Sequence, residues 1–520
     1  MRPSRILWID DEIELLRSHI IFLNEKGYEV DTATNGNDAI NQVKSKNYDL
    51  IFLDEMMPGM GGLETLAGIK EINPNIPVVM VTKSEEESLM NEAIGSKISD
   101  YLIKPVVPSQ VLMVCKKMLE KKKISGEFVA KDYLEDFNSI TRILMNDPNY
   151  DDWIDINNKL IYWDMELDVH PEIDLRQTLN EQKKECNQIF SKYIEKNYRH
   201  WLEAEGSGPV LTNSILEKYL LPHLDNEGNP VFLFVIDCLR MDQWLVMEKH
   251  LTDYFSIKKD YYLSILPTAT PYSRNSLFAG LFPSEIEKFY PQLWTSGNDD
   301  ERSMNKYEKE LLERLLDRKR IKLKNDLQYI KIIDPEVGRT FEQNVLSYKN
   351  THLTAVVVNF LDMIAHGRSD SQILKEIAPD ESAYRSLTES WFKYSYLFNA
   401  LKAISSIPKV KVIITTDHGS IRTMRGAKVL GDREASTNLR FKFGRNLKVD
   451  DKHAVYIKNP SDYRLPKRGV TISYIIAKED YYFVYPTEYH KYLSYYKDSF
   501  QHGGISMEEM ILPLVTLENK

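Results

Sequence analysis

The chain is poor in cysteine and lacks long apolar runs. Its three cysteines, Cys115, Cys186 and Cys238, lie far apart. They offer neither a disulfide framework nor a CxxC metal motif, which suits a reducing compartment. No segment approaches the roughly 20 apolar residues that a membrane-spanning helix needs. The N-terminal stretch MRPSRILWIDDE lacks the apolar core of a signal peptide. We therefore expect a cytoplasmic protein without membrane insertion.

The sequence also lacks an excess of basic residues. It has 67 Lys and Arg against 77 Asp and Glu, a formal net charge of −10. Nonspecific affinity for duplex DNA comes from basic side chains that neutralise phosphates. No helix-turn-helix is recognisable either, so binding of duplex DNA is not expected.

What is present is an α/β pattern. A length of 520 residues predicts about three domains. From Arg5 to Glu120, short apolar runs alternate with amphipathic stretches, which predicts a parallel sheet covered by helices on both faces. The five predicted strands are RILWID, YEVDTA, DLIFLD, PVVMVT and DYLIKP.

Two further regions follow. Helical periodicity from about residue 125 to 205, with Trp153, Trp163 and Trp201 as core residues, predicts a small helical bundle. It ends near Gly206, Ser207, Gly208 and Pro209. The later runs VFLFVID, TAVVVNF, KVKVIITTD and MILPLV are typical of buried parallel strands. The predicted domains are therefore a five-stranded α/β domain, an α-helical bundle and a large α/β domain, at residues 1–122, 123–206 and 207–520.

Site-forming residues gather at the predicted strand ends of the first domain. In an open parallel sheet, ligand-binding groups lie beyond the carboxyl ends of the strands. Clustered carboxylates there would bind Mg²⁺ and leave Asp54 able to act as a nucleophile toward a phosphoryl group. A hydroxyl and a lysine would hold the phosphoryl oxygens. Any one of these aspartates alone is more simply explained as a helix cap. Helix capping does not explain the full set of residue types at successive strand ends. The residues are Asp10, Asp11, Glu12, Asp54, Thr82 and Lys104.

The motifs DDE, DEMMPGMGG, VTKS and YLIKP resemble the response-regulator receiver family over this whole domain. The resemblance implies a flavodoxin-like fold and phosphorylation of Asp54. It implies a Mg²⁺ site of Asp10, Asp11 and Asp54, and switch residues Thr82, Tyr101 and Lys104. A face that switches between two states commonly alters self-association. A phosphorylation-dependent homodimer is therefore a hypothesis.

Four strands of the last domain also deliver metal-binding residue types. Three aspartates and three histidines suffice for two metal ions about 3.5 to 4 Å apart, as in many phosphoryl-transfer sites. Mixed imidazole and carboxylate ligands suit Zn²⁺, and Mn²⁺ remains an alternative. The residues are Asp237, Asp362, His366, Asp417, His418 and His502.

The candidate nucleophile is Thr270. It precedes Pro271, and proline is favoured in the first turn of a helix. The free backbone N–H groups of a helix N-terminus favour an anionic phosphate, and a bound metal lowers the hydroxyl pKa. Attack by Thr270 would give a phosphothreonine that water later hydrolyses. Arg274, one turn on, would hold a non-bridging oxygen. Alone, Thr270 is equally a helix cap.

Other simple interpretations also remain open. Asp362 and His366, four residues apart, fit a helix-surface pair, and His502 fits a turn. Glu508 and Glu509 either orient His502 or lie on the surface. The order of the residue types along the chain favours the site: Asp, Thr, DxxxH, DH, then a lone His.

That order resembles the alkaline phosphatase superfamily, and specifically its PglZ branch. DCLRMDQW, PTATPYSR, STNLRFKFGRNL and FQHGGISMEEMILPLV carry the resemblance, over roughly residues 210 to 520. It implies one Zn²⁺ on Asp237, Thr270, Asp417 and His418, and another on Asp362, His366 and His502. Sulfatases of the superfamily need a Cys or Ser oxidised to formylglycine, so a threonine favours phosphate esters. The preference for a diester rests on analogy and on the lack of an evident third metal site.

A receiver joined through a helical bundle to a PglZ-like domain resembles PorX-like response regulators. The resemblance implies a PorY-type histidine kinase and a role in type IX secretion, with a secretion-system or sigma-factor partner. The predicted function is a two-component response regulator with a two-zinc phosphodiesterase output, whose candidate substrates include nucleotides and oligonucleotides. The rival is a binding module with a structural metal site, whose docking is gated by phosphorylation. The intact Thr270 favours the enzyme.

Overall fold

The computed structural model describes residues 3–83, 98–203, 208–224, 228–294, 305–432, 436, 438–467, 469 and 471–520. Gly206 and Ser207, predicted near the end of the bundle, lie outside these residues. Ser84 of the motif VTKS and Thr437 of the motif STNLRFKFGRNL also lie outside them. Residues 1–134 and 135–520 form two compact units, and each is described by itself. The domain boundaries after residues 122 and 206 remain predictions.

The first unit is a parallel sheet with helices on both faces. Its strand order is β2-β1-β3-β4-β5, and each neighbouring pair is parallel. The strands are β1 (Arg5–Ile9), β2 (Glu29–Ala33), β3 (Leu50–Asp54), β4 (Val78–Thr82) and β5 (Asp100–Ile103). The helices before the linker are α1 (Arg17–Glu25), α2 (Gly36–Ser45), α3 (Gly62–Ile72) and α4 (Pro108–Cys115). One apolar core forms on each face of the sheet. The predicted five-stranded α/β fold is confirmed.

Local chemistry fixes two of these helices. Asn35 caps α2, because its side-chain oxygen accepts a hydrogen bond from Asp38 N at 2.9 Å. α3 begins at Gly62, where a Cβ would lie 2.5 Å from the carbonyl oxygen of Asp54. The glycine therefore lets α3 start directly behind the predicted phosphoacceptor.

The helical region consists of α5 (Lys121–Leu144), α6 (Tyr150–Val169) and α7 (Arg176–Glu203). The part of α5 from residue 135 onward, α6 and α7 belong to the second unit. Asn149 caps α6 reciprocally with Asp152. Trp153 and Trp163 are buried, as predicted, whereas Trp201 is only partly buried.

The second unit also contains a six-stranded sheet, in the order β7-β18-β10-β6-β9-β8. Its strands are β6 (Val231–Ile236), β7 (Phe255–Leu263), β8 (Leu327–Ile332), β9 (Leu353–Val358), β10 (Lys411–Thr415) and β18 (Ile511–Asn519). β8, β9, β6 and β10 are parallel, but β18 pairs antiparallel with β10 and β7. The prediction that MILPLV forms a parallel strand is therefore wrong. A strand buried on both faces has an apolar run whatever its direction, so periodicity cannot show the direction.

Smaller sheets lie between β10 and β18 in sequence. They comprise β11 (Ile421–Thr423) with β17 (Ser499–Gln501), β12 (Arg425–Lys428) with β16 (Tyr481–Val484), and β13 (Phe441–Gly444), β14 (Ala454–Ile457) and β15 (Ser473–Ala477). The remaining α-helices are α8 (Met241–Glu248), α9 (Thr270–Ala279), α10 (Pro283–Phe289), α11 (Glu308–Arg318), α12 (Pro335–Asn344), α13 (Phe360–Asp370), α14 (Gln372–Ile377), α15 (Glu381–Lys393), α16 (Tyr396–Ile404), α17 (Tyr489–Tyr496) and α18 (Met507–Met510). Across the described residues, we find no helix that combines the length and apolar character needed to span a bilayer.

Candidate phosphoryl-transfer sites

The first site lies at the carboxyl ends of β1 and β3. Carboxylate oxygens of Asp10, Asp11 and Asp54 lie within 4.8 Å of one another. Asp10 and Asp54 are buried and Asp11 is exposed. Lys104 Nζ lies 2.8 Å from Asp10 Oδ2 and 3.0 Å from Asp54 Oδ1. Oxygen ligands of this kind suit Mg²⁺, and the lysine provides the fixed positive charge of the cluster.

Burial and charge both act on Asp54. Burial raises the pKa of the Asp54 carboxyl above its ordinary value, the hydrogen bond from Lys104 opposes that rise, and the charge of Asp10 adds to it. A nearby cation therefore favours the ionised, nucleophilic form of Asp54.

Thr82 and Tyr101, two of the three predicted switch residues, differ in their surroundings. Thr82 is buried, and its hydroxyl donates to Glu55 Oε2. Tyr101 is 40% exposed. Glu55 was not singled out from the sequence, although it directly follows Asp54. The switch roles of Thr82 and Tyr101 remain predictions.

The second site brings together residues from strands far apart in sequence. Asp237 directly follows β6, and its backbone N–H donates to Val358 O, the last residue of β9, at 2.9 Å. Ligand atoms of Asp237, Asp417 and His418 lie within 4.8 Å of one another. All three side chains are buried. We call this set the first trio.

The second trio consists of Asp362, His366 and His502, whose ligand atoms also lie within 4.8 Å of one another. Asp362 and His366 lie on α13, and His502 directly follows β17. His366 Nε2 and His502 Nε2 are 3.0 Å apart. The imidazoles of His418 and His502 stack with centroids 4.1 Å apart, so the two trios are adjacent.

Thr270 lies beside the first trio. It is the first residue of α9, and its Oγ1 is 2.9 Å from His418 Nε2. His418 Nδ1 lies 3.1 Å from Gly419 O, which can only accept a hydrogen bond. Nδ1 therefore carries the proton in the neutral ring. His418 Nε2 thus presents its lone pair to the Thr270 hydroxyl or to a metal ion.

The donor set fits two metal ions. Among the described residues, the buried atoms Asp237 Oδ1, Asp362 Oδ1 and His502 Nδ1 have no hydrogen-bond partner. Buried polar atoms without partners are rare, and bound ions are one way to satisfy them. Burial lowers the pKa of both His418 and His502 to about 4. Both imidazoles are therefore neutral at pH 7, the form that binds metals.

The aspartates of the two trios ionise differently. Burial raises the pKa of Asp237 well above its ordinary value. Burial acts in the same direction on Asp417, but Arg274 outweighs it and lowers the pKa of Asp417. Burial also opposes ionisation of Asp362, and the neighbouring His366 overcomes it and lowers the pKa of Asp362.

Arg274 lies against carboxylates in this site. It is 1% exposed, pairs with Asp237, and its Nε donates to Asp417 Oδ2 at 3.0 Å. Its Nη1 lies 3.5 Å from Oε1 of the buried Glu308, a residue that sequence reasoning missed. The predicted contact of Arg274 with a phosphate oxygen remains a prediction.

A network of hydrogen bonds holds the loop after His502. Arg440 and Glu509 form a fully buried ion pair, in which Nε donates to Oε1 at 3.1 Å. Glu509 Oε1 also accepts from Gly504 N at 2.8 Å. Thr268 Oγ1 accepts from Gly503 N at 3.0 Å and donates to Gly504 O at 2.9 Å. Glu509 therefore lies in the core and not on the surface, and it supports the loop after His502. Arg440 lies in the motif STNLRFKFGRNL and Thr268 in PTATPYSR, but no residue spacing in the sequence indicates their supporting roles.

Family models match three successive segments of the chain. The matches are the response regulator receiver domain at residues 6–116, the PorX response regulator linker domain at residues 123–202, and the BREX system PglZ alkaline phosphatase-like domain at residues 215–517. A receiver domain takes its phosphoryl group from a histidine kinase.

Curated relatives match through the receiver segment. Transcriptional regulatory protein ResD of Bacillus subtilis is 35% identical over 127 residues, which is 24% of this chain and 52% of ResD. Transcriptional regulatory protein SrrA of Staphylococcus aureus is 31% identical over 118 residues, 23% of this chain and 48% of SrrA. The chain thus spans about half the length of these relatives.

Solved structures similar to the chain are also receivers. Chemotaxis protein CheY4 of Vibrio cholerae is 26% identical, covering 22% of this chain and 99% of that one, with a TM-score of 0.22. A two-component response regulator from Clostridium difficile is 32% identical, covering 22% and 96%, with a TM-score of 0.22. The PglZ model alone spans more than half of the sequence. The chain therefore belongs to the PglZ alkaline phosphatase-like family, in a PorX-like fusion with a receiver domain and a PorX linker domain.

Proposed function

We propose that this response regulator is phosphorylated on Asp54 and that its PglZ domain is a two-metal phosphodiesterase. The observation that carries the proposal is the Thr270 hydroxyl, 2.9 Å from His418 Nε2 at the start of a helix and beside two adjacent ligand trios. Nucleophile, ligands and helix N-terminus then serve one reaction.

The first trio, with Thr270, would hold one ion, and the second trio would hold the other. Zinc fits both sets because each mixes imidazole and carboxylate ligands, and manganese remains the alternative. When bound, the two ions would supply positive charge to the phosphoryl group and lower the pKa of the attacking hydroxyl. In the receiver, Asp10, Asp11 and Asp54 would hold Mg²⁺.

The protein's own groups perform the steps as follows. The Thr270 hydroxyl gives up its proton as Oγ1 attacks phosphorus and the new O–P bond forms. The ester P–O bond breaks, and the departing oxygen takes up a proton, so that the alcohol leaves. The positive end of the α9 helix dipole favours the negative phosphoryl oxygens. Water then cleaves the phosphothreonine and restores the hydroxyl. Arg274 is placed to neutralise the carboxylates around this centre. Its proposed contact with a non-bridging oxygen forms when the substrate binds.

A diester is the favoured substrate class. Among the described residues, groups of three or more metal-ligating side chains occur only in the receiver cluster and the two trios. A diester also carries less negative charge than a dianionic monoester, so it needs less compensation from Arg274 and two ions. Nucleotides and oligonucleotides are the candidate diesters.

The domain matches support the proposed regulatory setting. The match to the PorX linker domain supports a PorY-type histidine kinase partner and a link to type IX secretion. A secretion-system or sigma-factor partner would then receive the signal in the cytoplasm. The receiver supports phosphorylation-dependent homodimerisation.

The test compares hydrolysis of bis-p-nitrophenyl phosphate and p-nitrophenyl phosphate after metal content is measured. Thr270→Ala should lower kcat roughly 10³-fold or more, because it removes the nucleophile. The matched control is Thr340→Ala, since Thr340 is an exposed threonine of α12. If metal-loaded wild type is no faster than Thr270→Ala on either ester, the enzyme proposal fails and the binding module replaces it.

A second arm uses Asp54→Ala with and without beryllofluoride. Sedimentation should show a dimer only for beryllofluoride-treated wild type, and the ester assay shows whether turnover changes with assembly. An unchanged sedimentation profile of treated wild type would exclude the dimer.

A further inference from the structure

The linker helix α7 buries polar side chains within its apolar stripe. Asn187 is 5% exposed, and Ser191 and Tyr198 are each 1% exposed. A packed helix normally presents apolar residues on this face, and a buried polar group must find a partner. The partners of these three side chains are therefore informative.

All three find partners in the loop that leads to Thr270 or in the segment that follows His502, which includes the start of α18. Asn187 Oδ1 accepts from Met507 N at 2.8 Å, and its Nδ2 donates to Glu508 Oε2 at 2.9 Å. Ser191 Oγ donates to Ile505 O at 3.3 Å.

Tyr198 makes the contact with the other loop. Its Oη accepts from Leu266 N at 2.8 Å, four residues before Thr270. The two loops are themselves joined, because Thr268 bonds the backbone of both Gly503 and Gly504. Three side chains of α7 thus support two joined loops. One loop leads to Thr270, the predicted nucleophile, and the other follows His502, a predicted metal ligand.

These bonds determine loop geometry. Residues 264–269 and 502–504 belong to no helix or strand, so no regular ladder fixes their backbone. Removing the acceptor of a buried backbone N–H, such as that of Leu266 or Met507, destabilises the folded structure around it. Reactive groups must also be held within fractions of an ångström.

We propose that α7 is a positioning element of the hydrolytic site, and that Asn187, Ser191 and Tyr198 are positioning residues for the Thr270 and His502 loops. The linker is then the element through which the metal affinity and turnover of the site are controlled. The inference rests on the proposed function, because it assigns a supporting role around that same site.

The test exchanges two groups across the Asn187–Glu508 contact. Asn187→Asp places a second carboxylate against Glu508 and breaks the hydrogen bond. In the double variant Asn187→Asp/Glu508→Gln, the amide and the carboxylate change sides and the bond is restored. The full-length protein is used throughout. The matched control is Asn197→Ala, because Asn197 lies on the same helix and bonds only Tyr193 O of its own helix among the contacts described.

Three quantities are measured: Zn²⁺ affinity by competition with a chromophoric chelator, kcat and KM on bis-p-nitrophenyl phosphate, and amide hydrogen exchange of residues 264–270 and 502–509. Asn187→Asp should weaken Zn²⁺ binding about 10- to 100-fold. It should also speed exchange in both segments. The double variant should recover both, and Asn197→Ala should match wild type.

Tyr198→Phe tests the second contact without changing the shape of the side chain. It leaves Leu266 N without its acceptor, so kcat should fall about tenfold while KM stays constant. Tyr193→Phe on the same helix is its control and should have no effect.

The proposal is overturned if Asn187→Asp and Tyr198→Phe both behave as wild type. It is also overturned if the double variant fails to recover the affinity and exchange lost in Asn187→Asp. Failure of the proposed function gives a different result: wild type then hydrolyses neither ester, while hydrogen exchange still reports whether α7 holds the loops.

Discussion

The two proposed phosphoryl-transfer sites of this chain have different cations beside their carboxylates. In the receiver, one lysine, with its side chain 15% exposed, balances the acidic cluster. In the second unit, the described residues include five buried arginines, each no more than 4% exposed, and one of them, Arg274, pairs with the carboxylates of the first trio. They are Arg240, Arg274, Arg368, Arg385 and Arg440.

The difference follows from what each site has to do. In the proposed function the receiver cluster takes a phosphoryl group from a kinase, and the partly exposed Lys104 leaves the cluster accessible. The carboxylates of the first trio are buried, so they need a cation that is also buried, and Arg274 pairs with both Asp237 and Asp417. A receiver can therefore be built from one short segment, whereas the hydrolytic site depends on ion pairs between distant segments.

The sharpest way to test this comparison is to break the Arg440–Glu509 pair. Arg440→Met leaves a carboxylate buried beside Gly504 without its cation. We expect the free energy of unfolding to fall by about 3 to 5 kcal/mol, the usual cost of breaking a buried ion pair. The zinc ions proposed for the site should be lost with it. Chemical denaturation and metal analysis measure the two effects.

The control for that substitution is Arg445→Met, because Arg445 is exposed and lies five residues further along the chain. It should leave stability and zinc content unchanged. If Arg440→Met is as mild as this control, the buried pair does not support the site.

The next effect concerns the linker carboxylate Asp164, which is buried against Arg176, Lys183 and Arg385. Burial acts to raise the pKa of Asp164, but the three cations outweigh it and lower the pKa. Its charge therefore stabilises the fold above the unfolded-state pKa of about 3.9. That stabilisation is lost as the pH falls through the lower, folded-state pKa.

Asp164→Asn should accordingly cost about 1.5 to 3 kcal/mol at pH 7, the range for hydrogen bonds to charged groups. The difference from wild type should stay constant down to about pH 4 and shrink below it. Thermal unfolding at several pH values measures the difference. A gap that instead widens on acidification would contradict the assigned direction of the pKa shift.

The sequence could predict the ligands of both sites much better than their supports. Asp54, Asp237 and Asp417 end or follow apolar runs, and the carboxyl ends of parallel strands meet at one edge of a sheet. The direction of β18 was not predictable, since a strand buried on both faces is apolar throughout. The partnership of Asn187 with Glu508 joins residues 321 positions apart, and nothing local in either segment encodes it.

The smallest expected effect returns to the receiver and its lysine. Lys104→Met removes the cation shared by Asp10 and Asp54, and it should destabilise the Mg²⁺-free receiver by about 1 kcal/mol, since the lysine remains partly exposed. Adding Mg²⁺ should raise Tm more in this variant than in wild type, because the ion then replaces the missing charge. Lys117→Met, at a more exposed ion pair with Asp100, is the control and should respond to Mg²⁺ as wild type does. An equal response of Lys104→Met and wild type would mean that the lysine and the ion do not compensate the same carboxylates. The contrast between one replaceable cation in the receiver and fixed arginines in the hydrolytic site would then not hold.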